Sequence, residues 1–248
     1  MATAIAQQPI VARTLPGRRY DHLFFSMMSA LILVSVFIGF APTYFLAGVF
    51  RAPLPSPIIH FHGAAFSCWV LLLVVQTSLV SARRVDIHRR LGLVAFGLAA
   101  LMPVLGVLAA TNMLGRNTAP PGLDPKTFYI VPMSDMLNFA VLIFFAYRAR
   151  SNSPEHKRLI LIATVSLLTA AYVRFHVGFL LGKIFPAMLV SYGFLFLLAL
   201  YDLWSTRKLH RATLLGSLLV IAVQFARFPF SHTTAWQSFA NWAQSLAR

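Results

Sequence analysis

His62, Asp135, Arg174, His176 and Arg227 stand inside long apolar runs of this 248-residue sequence. Gln76 and Gln224 share those runs, and His232 lies just past the last one. An ionisable side chain in hydrocarbon costs about 2.5–3.5 kcal/mol on insertion scales, so it needs a partner, a cavity or a task. At about 1.5 Å per residue, His62, Asp135, Arg174 and His176 fall roughly 8–10 Å below the same end of their helices, with Arg227 and His232 near that end too. Neighbouring runs point in opposite directions, so this shared depth is a convergence of distant residues. Asp135 is the only acid at that depth. Arg174 shares a helical face with Ala163, Ala170 and Ala171, small residues of the kind that let membrane helices meet. The spacing therefore predicts an Asp135–Arg174 ion pair. Adding Arg227 makes one acid and two bases, which an anionic group could balance: a haem propionate, a lipid phosphate or a carboxylate substrate. Pro229 offers Arg227 another course, ending the helix so that its side chain reaches water.

Several chemistries are open to this set. Neutral imidazoles on facing helices ligate haem b, and His62 with His176 is the best such pair, or a pair of quinone contacts. Two positions apart on an ideal helix, His176 and Arg174 point in nearly opposite directions, so a kink is needed for both to face one axis. Zinc is a weaker reading: His62, His176, His232 and Asp135 supply ligand types, but no helix carries His-x-x-x-His. A transporter or ligand-binding channel would use Asp135, Arg174 and Gln224 as its polar path. A retinal Schiff base is disfavoured, because Lys126, Lys157, Lys183 and Lys208 all lie between the runs. Phosphate-loop, dinucleotide and nucleophile-elbow motifs do not occur.

The elements that position these residues are membrane helices. The chain is 58% hydrophobic and 11% charged, with mean hydropathy +0.74. Soluble domains carry roughly 25% charged residues, so this composition points to an all-α polytopic membrane protein in one domain, 1–248. A span needs roughly 20 apolar residues. Seven runs qualify, near 23–48, 57–80, 91–113, 129–149, 159–181, 186–205 and 212–230. Of the 21 lysines and arginines, fourteen fall in the N-terminal segment and the second, fourth and sixth loops, against five at the other ends. That bias places the N-terminus and a tail over 1–20 in the cytoplasm and the C-terminus outside, in a bacterial inner membrane. It also explains the net charge of +15 without nucleic acid. Residues 233–248, with Trp236, Phe239 and Trp242, read as a short helix on the outer membrane surface. Cys68, the single cysteine, reads as a small apolar residue.

Three loops on the cytoplasmic side end alike. Val85-Asp86-Ile87-His88-Arg89-Arg90-Leu91 opens the third span, Pro154-Glu155-His156-Lys157-Arg158-Leu159 the fifth, and Lys208-Leu209-His210-Arg211 the seventh. Each sets a histidine before a basic residue, as three related hairpins after a lone first helix would. His88, Arg90, His156, Arg158 and His210 then form either a cytoplasmic ring that holds a cofactor or relays protons, or a set of headgroup anchors.

His62-Gly63, Trp69, Gln76 and His88-Arg89-Arg90-Leu91-Gly92 resemble the pattern His-x3-Gly…Gln…His-Arg-x-Leu-Gly of a family of bacterial multipass inner-membrane proteins with a domain of unknown function. The glycine here follows the histidine directly, a departure from that pattern. His156-Lys157-Arg158-Leu159 through Arg174 is also similar to such proteins, and the likeness covers about residues 20–210. It implies that His62, Gln76, His88 and Arg90 act together, and implies no substrate. A looser likeness to di-haem cytochrome b-type proteins rests on helices and histidines alone.

Overall fold

The computed structural model describes residues 20–53, 55–120 and 122–247, so the expected cytoplasmic tail lies outside it apart from Tyr20. Among these residues the chain is helical and has no strand. The helices are α1 (Asp21–Phe40), α2 (Pro57–Ser81), α3 (Val85–Gly115), α4 (Pro125–Arg148), α5 (Ser153–Val165), α6 (Thr169–Tyr172), α7 (Ile184–Thr206), α8 (Arg211–Ser231) and α9 (Thr234–Leu246). Six stretches are long and apolar enough to cross a membrane: α1 extended to Phe45, α2, α3, α4, α7 and α8. The large side chains turned outward are apolar, as Leu93, Val94, Leu101 and Val104 of α3 show. That inversion suits hydrocarbon as the outer solvent, and the chain is a multi-pass helical membrane protein.

Local chemistry sets the helix ends. Asp124 accepts the Thr127 N–H at 2.8 Å and Pro125 opens α4, where a missing N–H costs nothing. His210 Nδ1 accepts the Ala212 N–H at 3.1 Å and so caps α8. Thr233 caps α9 through the Trp236 N–H at 3.3 Å. After α1, Pro42 is followed by a wide π-type turn in which the Leu46 N–H reaches the Ala41 carbonyl at 2.8 Å.

The run expected as one span over 159–181 is broken. α5 ends at Val165, and tighter bonds take over: Leu167 to Thr164 at 3.2 Å, Leu168 to Val165 at 3.0 Å and Arg174 to Ala171 at 3.0 Å. The hydroxyls of Thr164 and Ser166 donate back to the carbonyls of Ile160 and Ala163, offering the backbone an alternative to the regular ladder. α6 is one turn, and the Gly182 N–H bonds the Val173 carbonyl at 2.8 Å before α7 begins.

α4 and α5 occupy the middle. α4 packs on α3, α5, α8 and α9, and α5 on α1, α4, α7 and α8. Gly39 lets α1 lie against α6: a Cβ there would sit 2.5 Å from the Ala171 carbonyl oxygen. The expected C-terminal helix is present as α9. It docks on α3 and α4 through Trp236, which donates to the Lys126 carbonyl at 2.9 Å, and Gln244, which donates to that of Leu114 at 3.0 Å.

Candidate functional site

A cavity of about 690 Å³ opens between α1, α2, α3 and α5 at the end of the bundle that holds the basic loops. Phe25, Trp69, Leu73, Phe96 and Leu161 form apolar walls, and His22, Gln76, His88, Arg89, Arg150, His156 and Lys157 bring polar atoms to the same space. Such a size and mixture are typical of small-molecule sites. Trp69 is fixed by an N–H bond to Thr164 at 3.1 Å and an edge contact with Phe139.

The polar groups are set in defined roles. The Gln76 amide, oriented as its neighbours require, donates to His88 Nδ1 at 2.6 Å and accepts the Gly92 N–H at 3.0 Å. An acceptor at Nδ1 puts the proton on Nε2, so His88 is left with a donor. His156 Nδ1 lies 2.9 Å from the Ala146 carbonyl and must donate to it, which leaves Nε2 as an acceptor. Burial holds the His156 pKa below its ordinary value, although the Ala146 bond pulls the other way. Beside His22, the cavity is thus lined by one imidazole, His88, with a proton to donate and one, His156, with a nitrogen to accept. Lys157 is held by Asp21 at 2.5 Å, and Tyr201 donates to the same carboxylate at 2.7 Å.

The likeness that groups His62, Gln76, His88 and Arg90 is met only between Gln76 and His88. His62 and Gln76 share a face of α2 but lie fourteen residues, roughly 21 Å, apart. Arg90 is exposed, and its neighbour Arg89 lines the cavity. His88, His156 and His210 begin their helices alike yet do three different jobs: the first bonds Gln76, the second the Ala146 carbonyl, and the third caps α8. Arg158 is buried beside the cavity. Its Nε donates to Asp202 Oδ1 at 2.9 Å and its NH1 to the Pro154 carbonyl at 2.7 Å. The other Asp202 oxygen accepts the His210 N–H at 3.1 Å and the Thr213 hydroxyl at 2.5 Å. Sequence reasoning misses Asp202, although an acid ending an apolar run opposite Arg158 is a visible signal.

At the opposite depth the expected Asp135–Arg174 pair is not formed. Asp135 Oδ1 instead accepts Arg227 NH1 at 3.0 Å and Gln224 Nε2 at 3.1 Å. Arg227 is 2% exposed, so it does not reach past Pro229 to water. The reason is rotational. The tight turns after Val165 change the register of the chain, and Arg174 bonds the Ala170 carbonyl and lies over the Phe40 ring at 4.6 Å. His62 packs on Phe66 at 4.2 Å, whereas His176 and His232 are exposed. The single convergent site therefore divides into a buried Asp135–Gln224–Arg227 node, with Arg174 on Phe40 and His62 on Phe66 held apart from it. His176 and His232 have settings unlike that of His62, and among the described residues no three His, Cys, Asp or Glu side chains gather as zinc ligands would.

Comparison with protein-family models, curated proteins and solved structures finds no match to this chain.

Proposed function

We propose that the protein is a seven-span inner-membrane protein that binds a quinone-class amphiphile in the cavity between α1, α2, α3 and α5. The observation that carries this reading is the cavity itself: apolar walls of about 690 Å³ with a donor imidazole and an acceptor imidazole on one lining. His88 Nε2–H would donate to a quinone carbonyl, and His156 Nε2 would accept from a hydroquinone hydroxyl. The apolar body of the ligand would lie along Trp69, Leu73 and Phe96.

The topology supports the placement. Arg158 near the start of α5 bonds Asp202 near the end of α7, so both stand at the basic end. α7 has 23 residues, about 34 Å, so Ile184 stands at the other end. The segment between Leu159 and Lys183 then runs the depth of the bundle and makes a seventh, broken crossing. The basic end faces the cytoplasm by the distribution of lysine and arginine, and α9 rests at the outer surface.

Ubiquinone-1 added to purified protein tests the reading through tryptophan fluorescence. Saturable quenching is expected, with the saturable part lost in Trp69→Phe and its midpoint raised at least tenfold in His88→Leu. Linear quenching that is identical in wild type and Trp69→Phe overturns it. A second reading has its own observation: Arg89 and Arg150 at the cavity suit an anionic head. Decyl phosphate would then displace the quinone, and Arg89→Gln with Arg150→Gln would abolish that displacement while sparing quinone binding.

A further inference from the structure

Most of the buried polar atoms that lack a partner among the described residues lie on or around α8. They are Ser217 Oγ on α8, both amide atoms of Asn138 on α4, Gln224 Oε1, Arg227 Nε and the Tyr192 hydroxyl on α7. Asn138, Gln224 and Arg227 are at most 2% exposed. A buried donor or acceptor left unpaired is costly, so a run of them along neighbouring helices calls for guests that bond both donors and acceptors.

Their depths form a series. Measured from the basic end at about 1.5 Å per residue, Thr213 with Asp202 lies within roughly the first 6 Å. Ser217 follows at roughly 9 Å, Asn138 at roughly 15 Å, Gln224 and Asp135 at roughly 20 Å, and Arg227 at roughly 24 Å. On α8 the residues Thr213, Ser217, Gln224, Arg227 and Ser231 follow one face at helical spacing. Beyond Arg227, Gln237 donates to the Ser231 carbonyl at 2.8 Å and to Thr127 at 3.4 Å, which carries the seam to the far end. An apolar layer interrupts it: Leu142, Ile162, Leu198 and Val220, none more than 2% exposed, fall at roughly 9–14 Å from the basic end. Gly216 seats α8 there, its Cβ position 3.0 Å from Ile162.

We propose that this seam is a water file that carries protons across the membrane, with Asp135 as its protonatable relay and the apolar layer of Leu142, Ile162, Leu198 and Val220 as its gate. The Asp135 carboxylate takes a proton from a hydronium on one side and releases it to a water on the other, and Arg227 stays charged throughout. One proton enters as one leaves, so no other reactant is consumed. Water suits the node because it bonds donors and acceptors alike, and Asp135 and Arg227 already balance each other's charge.

Two measurements test it. Brief X-ray radiolysis of the purified protein generates hydroxyl radicals from internal water. Met188 is 0% exposed and lies 3.8 Å from Arg227, and Met102 is equally buried in the apolar core. Met188 and Tyr192 are expected to be oxidised at least five times faster than Met102. Equal rates overturn the water file. In proteoliposomes, a potassium gradient with valinomycin and a trapped pH dye read proton entry. The wild type is expected to exceed protein-free vesicles at least fivefold. Asn138→Leu and Ser217→Ala, which leave both ion pairs intact, bring the rate within twofold of protein-free vesicles, and Val220→Ser raises it. Flux absent in the wild type, or unchanged in these variants, overturns the relay. Trp69→Phe, which removes the quinone signal, is expected to conduct normally, so the two readings fail separately.

Discussion

At the scale of single residues, Arg174 and Arg227 make opposite demands. Arg227 is buried against Asp135, and removing one member of such a pair leaves an uncompensated charge at a cost of about 3–5 kcal/mol. Arg174 keeps a backbone bond and a ring contact, the latter worth about 0.5–2 kcal/mol. Arg227→Ala should therefore lower the melting temperature in detergent clearly more than Arg174→Ala. Replacing both partners, Asp135→Leu with Arg227→Met, should recover most of the loss. An equal effect of the two single substitutions would contradict the Asp135–Arg227 pairing. His156 adds a pH dependence. Its folded pKa is held below the unfolded value by burial, so protonation favours unfolding. Its contribution to stability is complete above the ordinary imidazole value of about 6.5 and declines as pH falls below it. Thermal melts between pH 8 and pH 5 should slope downward on the acid side, and His156→Gln should flatten that slope. Spacing along each helix reveals which residues share a depth. It does not reveal the azimuth between helices, so it matches Asp135 to the arginine of the next run in sequence rather than to that of α8.

At the scale of elements, the apolar runs locate six helices closely, because length and hydropathy alone decide what can cross hydrocarbon. The α5–α6 break is less legible. Thr164 and Ser166 are common in membrane helices, and only the tertiary setting shows their hydroxyls competing with the ladder while Gln224 bonds the freed Ser166 carbonyl at 3.1 Å. That carbonyl links the break to the buried node, so Gln224→Leu should loosen α6 and raise amide exchange over residues 166–175. The cavity is half legible: the His88-Arg89 and His156 motifs are visible and Trp69 and Gln76 stand in the same pattern, but Arg150, Phe96 and Leu161 join them only through packing. Where α1 meets α6, Gly39→Ala places a methyl against a backbone carbonyl that cannot step aside. A loss of about 1–3 kcal/mol is expected, read as a lower melting temperature.

At the scale of the whole molecule, the proposed orientation places Ser151 and Arg207 on one side of the membrane and Asn117 on the other. In a Cys68→Ser background, cysteines at 151 and 207 should react with a membrane-impermeant maleimide only in inverted vesicles, and a cysteine at 117 only in intact cells. Labelling of all three from one side would sink the seven-span arrangement. The ion pairs at the basic end also bear on how the molecule is assembled. Lys157 is matched by Asp21, made 136 residues earlier, but Arg158 is matched by Asp202, made 44 residues later. As the chain emerges, α5 can settle one of its charges at once and must hold the other in reserve until α7 arrives. Completion of α7 thus supplies the charge that α5 still lacks, and a nascent chain halted before Asp202 would carry an unmatched arginine.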